Sequence, residues 1–499
     1  MLFKLLGNTL KVAEMVCFQA CSLSLWAGFM AYDTCTRYLS RKELRQQREQ
    51  LKQTQNYEEW KRVATRLDEI TGHLGWRFVP QSSHYDYKYI QGMKFHLEDL
   101  LEQKRIEECA TLLRALMSRD FSGITNQNLY NKTLSGTKEL IDDYHNTILL
   151  CLQTIADSDM KNKAEFFTEL KHFYGRTGLV FSGGASVGMF HLGVISTLLE
   201  FDFLPKIFCG ASAGSLICAL VGTNNDEELR FLARNNFTSL NFDAFSNIPK
   251  EGSFFRKIKR ACTEGFFIDK EPLQKFLIDN TYNLTFKEAY QKTGRIINIT
   301  VTDSHHRKFH ILNYLTAPDA FVWSAALASC SLPLVYAPSM VYRKGQDDKL
   351  ESWMPKEHAF IDGSIGADVP VKSLGVMFNV TNFIVSQVNV FVVPFISYSR
   401  FHRYSRNYFF IKIWEACSGF VISEIKHRLS QIASLGLIPR RLSLLINVVM
   451  QEYFGNINIL PNIGFNDITR LFDNPSVESV REWTLRGRNA TFFSNLTRP

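Results

Sequence analysis

The sequence predicts an α/β fold, and two segments carry that reading. Residues 177–181 form a short apolar run that leads into Ser182-Gly183-Gly184-Ala185-Ser186-Val187-Gly188, and residues 189–199 then read as a helix. Ile207-Phe208-Cys209 leads into Gly210-Ala211-Ser212-Ala213-Gly214 and a second apolar helix over residues 215–221. Strand, glycine-rich turn and helix, met twice in succession, is the pattern of an α/β unit.

Composition bounds the rest. The chain has 499 residues, 45% of them hydrophobic and 21% charged, which excludes a mostly disordered chain. That length predicts roughly two to four units. Forty Phe point to an apolar ligand or a membrane surface. The net charge of +8 suits anionic headgroups. No dense Lys/Arg run, zinc-finger or RNA-binding signature occurs, so no nucleic-acid partner is expected. Ten Cys lie singly, without a CxxC pair or Cys/His zinc spacing, and are expected as reduced thiols in a cytosol-facing protein.

In chain order, residues 15–32 carry no charge and are flanked on both sides by Lys and Arg. Charge on both sides suits a segment lying on a membrane, so residues 1–35 are expected as a membrane or lipid-droplet anchor, with a buried helix as the alternative. Residues 36–150 read as helical. Asn56 and Glu59 resemble a capping box ahead of Trp60, Val63, Ala64, Leu67 and Ile70 at helical spacing, and a single long helix is expected from about Met93 to Met117.

The glycine-rich turn aims backbone amides at one point beside a helix N-terminus, a place for a phosphate or a developing oxyanion. It lacks the Lys-Ser/Thr of a P-loop, and Ala185 spoils a dinucleotide fingerprint. The second turn is G-x-S-x-G. A nucleophilic Ser212 on a sharp elbow needs Gly210 and Gly214, because side chains two residues to either side would collide. A base is also needed. Ala359-Phe360-Ile361-Asp362-Gly363 reads as a strand ending in a carboxylate freed by glycine, which makes Asp362 the candidate. His402 and His427 stand as alternatives of a Ser-His-Asp arrangement.

The turn SGGASVGMFHLGV, the elbow GASAG and Asp362-Gly363, in that order, resemble the patatin-like phospholipase family. TFKEAYQKTGRIINITV, WSAALASCSLPLVYAP, DGSIGADVP and FNVTNFIVSQVNV add to the likeness. They are most similar to its branch of triacylglycerol lipases of fungal lipid droplets and plant oil bodies. The resemblance implies a three-layer α/β/α sandwich over residues 175–380, preceded by a helical region and followed by a mostly helical C-terminal extension, 381–499. It implies Ser212 as nucleophile and Asp362 as proton acceptor. It also implies an oxyanion hole from Gly183, Gly184 and Ala185, and a structural His191. Neither metal nor cofactor is implied. Ala185 departs from the widespread G-G-G form, and Asn389-Val390-Phe391 stands where many relatives have Asn-Pro-His.

The implied function is that of a triacylglycerol lipase, releasing fatty acids from stored neutral lipid through a Ser212–Asp362 dyad and an acyl-enzyme, at a droplet or endoplasmic-reticulum membrane surface facing the cytosol. A phospholipase A or lysophospholipase, or a catalytically idle droplet scaffold, are the alternatives. Residues 395–412 interleave basic and aromatic side chains, and 435–449 form a second apolar stretch; both are candidates for lipid contact.

Overall fold

The computed structural model describes residues 42–241, 269–389 and 455–493, short internal stretches excepted, and a few isolated positions outside these ranges. The expected anchor segment and the candidate contact stretches 395–412 and 435–449 lie outside the described residues, as does His402. No helix among the described residues is long and apolar enough to cross a membrane. The chain divides into two compact units, residues 1–112 with 119–158, and 113–118 with 159–499.

The first unit is helical. Helix α1, Tyr57–Ile70, starts where the Asn56 side chain accepts the Glu59 amide at 2.9 Å, and it buries Trp60, Ala64 and Leu67. The long helix expected over 93–117 is two helices, α2 (Tyr87–Glu102) and α3 (Ile106–Leu116). The break falls at Lys104, whose backbone is left-handed with φ 58°. The polar run Glu102-Gln103-Lys104-Arg105 interrupts the apolar spacing here, the signal in the sequence that one continuous helix overlooks. Helix α4, Glu139–Asp157, buries Ile141, Tyr144, Cys151 and Ile155. Two buried charges tie the intervening loops. Asp68 accepts the amides of Leu134 and Ser135 at 3.0 and 2.6 Å. Lys138 donates to the Trp76, Val79 and Gln81 carbonyls with its ammonium over the Trp76 ring. Buried charges persist only with such complete pairing.

The second unit is built on a mixed sheet. Its strands are β1 (Arg176–Phe181), β2 (Ile207–Gly210), β3 (Ile296–Asp303) and β4 (Phe309–Leu312). Further along, β5 (Tyr342–Lys344) and β6 (Leu350–Ser352) form a separate hairpin. Strands β7 (Phe360–Asp362), β8 (Val380–Ser386) and β9 (Ile457–Ile459) complete the main sheet. The order is β4-β3-β2-β1-β8-β9, with β7 paired to β3. Strands β3, β2, β1, β8 and β9 run parallel to their neighbours, while β4 and β7 are antiparallel to β3.

Both faces of this sheet are covered. Leu179 and Phe181 of β1 join one apolar cluster with helices α5 (Phe190–Glu200), α6 (Ala213–Thr223) and α7 (Val322–Ser329). Val180, one residue between them, joins a second cluster with Leu374 and Phe378 of α8 (Val371–Phe378). Alternate residues of one strand thus enter opposite cores, the signature of a sheet sandwiched between helices. The expected α/β/α layering is present.

Residues far down the chain enter this unit. β9 extends the sheet beyond β8, and helix α9, Val477–Phe493, packs along α5. The two helices touch backbone to backbone. A Cβ placed on Gly193 would stand 2.8 Å from the Gly487 Cα, so only glycine fits at this crossing. Arg488 pairs with Glu200 at 2.8 Å beside it. The sheet and its helical cover therefore draw on residues on both sides of position 380.

Candidate active site

Ser212 sits on the turn from β2 to α6 with φ 51° and ψ −127°, a conformation that L-residues avoid. The turn closes because two glycines meet. A Cβ on Gly210 would stand 2.3 Å from the Gly214 carbonyl oxygen, and one on Gly214 would stand 2.1 Å from the Phe181 carbonyl oxygen. The spacing of the elbow motif is thus a steric requirement here.

Asp362 reaches the elbow through β3. Val301 pairs with both His310 of β4 and Asp362 of β7, so β4 and β7 lie on opposite edges of β3. β2 pairs with β3 over Ile296–Ile299, and β7 takes up the same edge where β2 has ended. The last residue of β7 therefore lies beyond the carboxyl end of β2, where the chain turns into Ser212. Carboxyl ends of parallel strands are where sites form in such sheets.

The Asp362 side chain is buried. Its Oδ1 accepts the amide and hydroxyl of Ser364 at 2.8 and 2.7 Å. Its Oδ2 completes no hydrogen bond. Burial pushes this carboxyl up to about 6, while the hydroxyls of Ser212 and Ser364 and the Ser364 amide pull it the other way. The Ser212 hydroxyl thus acts on the carboxylate without a completed hydrogen bond.

Residues 329–331 join the two halves. The Ser212 amide donates to Ser329 Oγ at 3.0 Å, and the Cys330 thiol donates to the Ser212 carbonyl at 3.2 Å. The Asp362 amide donates to the Ser331 carbonyl at 3.0 Å. One three-residue segment fixes the main chain of both.

The glycine-rich turn lies against the elbow. A Cβ on Gly183 would come within 3.0 Å of Ser212 Cβ. The Gly183 amide donates to Asp368 Oδ1 at 2.9 Å, whereas the amides of Gly184 and Ala185 meet no protein acceptor among the described residues. Of the three expected oxyanion donors, Gly183 is therefore engaged in holding the turn. Burial pushes Asp368 up to about 8, against the pull of the Gly183 amide. Ala185 has φ 48°, the left-handed region that favours glycine, which accounts for Gly at this place in the commoner form of the motif. From the far side, the Ser186 amide donates to the Leu471 carbonyl at 3.1 Å.

His191 is fully buried between Ser386 Oγ, 2.7 Å from Nδ1, and the Ser182 carbonyl, 3.1 Å from Nε2. Burial lowers it to about 4, so it stays neutral. His427 is exposed and faces Gln431. The Cys side chains at 109, 151, 209, 218 and 330 are buried free thiols. Val388 borders the turn, its amide donating to Ser182 Oγ at 2.8 Å. Beside the elbow, Leu216, Ile217 and Leu220 of α6 face Met189, Leu192 and Phe276 across a narrow apolar crevice of about 20 Å³.

Ser329, Cys330 and Asp368 carry the site's geometry and were not assigned from sequence. All three fall in segments that carried the family likeness, but each acts through a residue more than a hundred positions away.

Comparison with known proteins agrees with this architecture. A family model described as Patatin-like phospholipase matches residues 179–374. One described as Domain of unknown function (DUF3336) matches residues 37–172. Triacylglycerol lipase ptl2 of Schizosaccharomyces pombe is 34% identical over 484 residues, covering 92% of this chain and 74% of that protein. Triacylglycerol lipase ptl3 of the same yeast is 31% identical over 451 residues, with 89% and 92% covered. Triacylglycerol lipase SDP1L of Arabidopsis thaliana is 32% identical over 453 residues, with 87% and 54% covered.

Sheet, elbow and comparisons define a lipid ester hydrolase. The chain belongs to the patatin-like phospholipase family.

Proposed function

We propose that the chain is a triacylglycerol lipase that releases fatty acid through a Ser212–Asp362 dyad. The observation that carries the dyad is the placement of a buried carboxyl, raised to about 6, on the edge of β3 that leads to the Ser212 elbow. A base titrating near neutral pH accepts a proton more readily than an ordinary aspartate. The choice of triacylglycerol rests on the relatives, which are named for that activity and match over most of this chain.

Ser212 Oγ attacks the ester carbonyl while Asp362 Oδ2 takes its proton. The carbonyl oxygen becomes an oxyanion facing the Gly184 and Ala185 amides, a contribution on the order of 3 kcal/mol per donor. The C–O bond to the glyceride breaks, and the departing alkoxide takes the proton back from Asp362. Water then gives a proton to Asp362 and attacks the acyl-enzyme; fatty acid leaves and Ser212 recovers its proton. The apolar crevice beside α6 is too narrow for an acyl chain as it stands, and its Leu216, Ile217 and Leu220 lining is the surface along which the chain would part the two walls. The substrate lies in a lipid phase, so the protein works at a droplet or endoplasmic-reticulum surface, with the uncharged stretch 15–32 as the sequence feature that favours attachment.

The test is fatty-acid release by the purified chain and its Ser212→Ala variant from triolein and phosphatidylcholine emulsions run side by side. Release from triolein that vanishes in the variant is expected. Ser212-dependent release from phosphatidylcholine alone would move the activity to phospholipid. No release from either by folded, droplet-bound protein would leave a scaffold.

A further inference from the structure

The carboxyl end of β3 carries a cluster that the ester chemistry does not use. Asp303 Oδ2 stands 3.2 Å from His358 Nδ1, and Asp303 Oδ1 stands 3.5 Å from His306 Nδ1. All three donor atoms lie within 4.8 Å of one another. The two imidazoles stack, with centroids 6.1 Å apart and planes 19° apart, so both rings turn the same nitrogen to one carboxylate.

We propose that Asp303, His306 and His358 form a divalent-metal site, with zinc as the cation they fit. A tetrahedral zinc with bonds of about 2.0–2.1 Å needs neighbouring ligand atoms about 3.3–3.4 Å apart. Asp303 Oδ2 and His358 Nδ1 stand 3.2 Å apart, and the exposed His306 ring, with the ligand atoms all within 4.8 Å, has only a short way to turn. Two imidazoles and one carboxylate are the donor set of a three-ligand zinc site with water in the fourth position. Magnesium and calcium prefer oxygen ligands throughout and fit poorly. The carboxylate is already oriented: the His305 and His306 amides each donate to Asp303 Oδ1 at 2.7 Å, and the residue is buried. His306 is 68% exposed and His358 34%, which leaves a path for the ion and room for its water. Asp303 and His358 stand 55 positions apart, so the site has no sequence spacing to betray it.

The place of the site gives it a structural role. Asp303 pairs with Phe360, and His358 lies two residues before that strand, whose last residue is Asp362. A bound ion clamps the chain entering β7 to the end of β3. It stays outside the reaction and stiffens the strand that presents Asp362.

The test uses the full chain, stripped with chelator, dialysed against zinc chloride and then against buffer. Bound zinc is counted by elemental mass spectrometry, and melting is followed with and without zinc. The comparison is with His306→Gln, the His306→Gln/His358→Gln pair, and Asp303→Asn, which keeps the oxygen that accepts the two amides. Ten Cys and other His will also take up zinc, so the difference between chains is the readout. Wild type should hold one more zinc per chain than the paired variant. Zinc should raise its melting temperature, and that rise should be lost in the paired variant and in Asp303→Asn. The exposed position of His306 makes His306→Gln a variant that folds regardless, and its zinc affinity should fall at least about tenfold. Magnesium should produce none of this. Equal zinc uptake and equal melting shifts in wild type and all variants would overturn the proposal.

Discussion

Gly210 and Asp362 occupy the same edge of β3, paired with Ile299 and Val301 two residues apart. One strand therefore measures out the distance between the nucleophile elbow and the carboxyl. At about 3.3 Å per residue, the two stations are roughly 7 Å apart along the strand. A rigid central strand is a better ruler for this than any loop.

With Asp362 as the proposed proton acceptor, active only when ionised, kcat/KM should fall about tenfold per unit as pH drops below about 6, and level off above it. A pH–rate profile on a soluble short-chain ester checks this. A bend near 4 would mean that Asp362 titrates as an ordinary carboxyl.

Asp362→Asn should lower kcat on the order of a thousandfold and yet stabilise the fold at pH 8. The sign follows from linkage. A carboxyl raised from 3.8 to about 6 gives stability that is present below pH 3.8 and lost as pH climbs through 6. The amide has no such loss, so the variant should gain on the order of 2–3 kcal/mol at pH 8 and nothing near pH 3.5. Chemical denaturation at the two pH values measures the difference.

Asp368 holds the glycine-rich turn through the Gly183 amide. Asp368→Ala should lower kcat on the order of tenfold to a hundredfold with little change in KM, since the turn acts on the transition state. Asp368→Asn keeps an acceptor and should recover most of the rate. Equal damage from both would point to the acid proton instead of the turn.

The crevice beside α6 should set acyl length. Leu220 lies one helical turn beyond Leu216, away from Ser212. Leu220→Trp should raise the ratio of tricaprylin to triolein hydrolysis about tenfold or more. An unchanged ratio would place the acyl chain elsewhere.

At the helix crossing, Gly487→Leu should cost several kcal/mol, because the new side chain meets the Phe190 carbonyl oxygen at 2.2 Å from its first carbon. A melting curve that matches wild type would refute the backbone contact between α5 and α9.

Local chemistry was legible in the sequence and distant pairing was not. The elbow is a collision rule confined to five residues, so GASAG disclosed it directly. The strand ending in Asp-Gly made Asp362 a candidate, but its pairing with an elbow 150 positions upstream rested on the family likeness, since only the β3 register brings the two together. Ser329, Cys330 and Asp368 sat within segments already singled out, but their roles depend on where β7 and the glycine-rich turn meet. The break at Lys104 was legible only as a lapse of four polar residues, Glu102 to Arg105, between two apolar stripes of different phase. β9 is three residues long, too short for a period to register.

The Ser186–Leu471 bond and the Gly193–Gly487 crossing have a consequence for timing. A ribosome finishes Ser212 and Asp362 long before it reaches residue 471. Until that point the glycine-rich turn lacks its outer tether, and until residue 487 emerges α5 lacks its cover. Nascent chains halted at residue 400 would thus carry Ser212, Asp362 and the Asp368 hold on Gly183, but neither the outer tether of the turn nor the cover of α5, which arrive only late in synthesis.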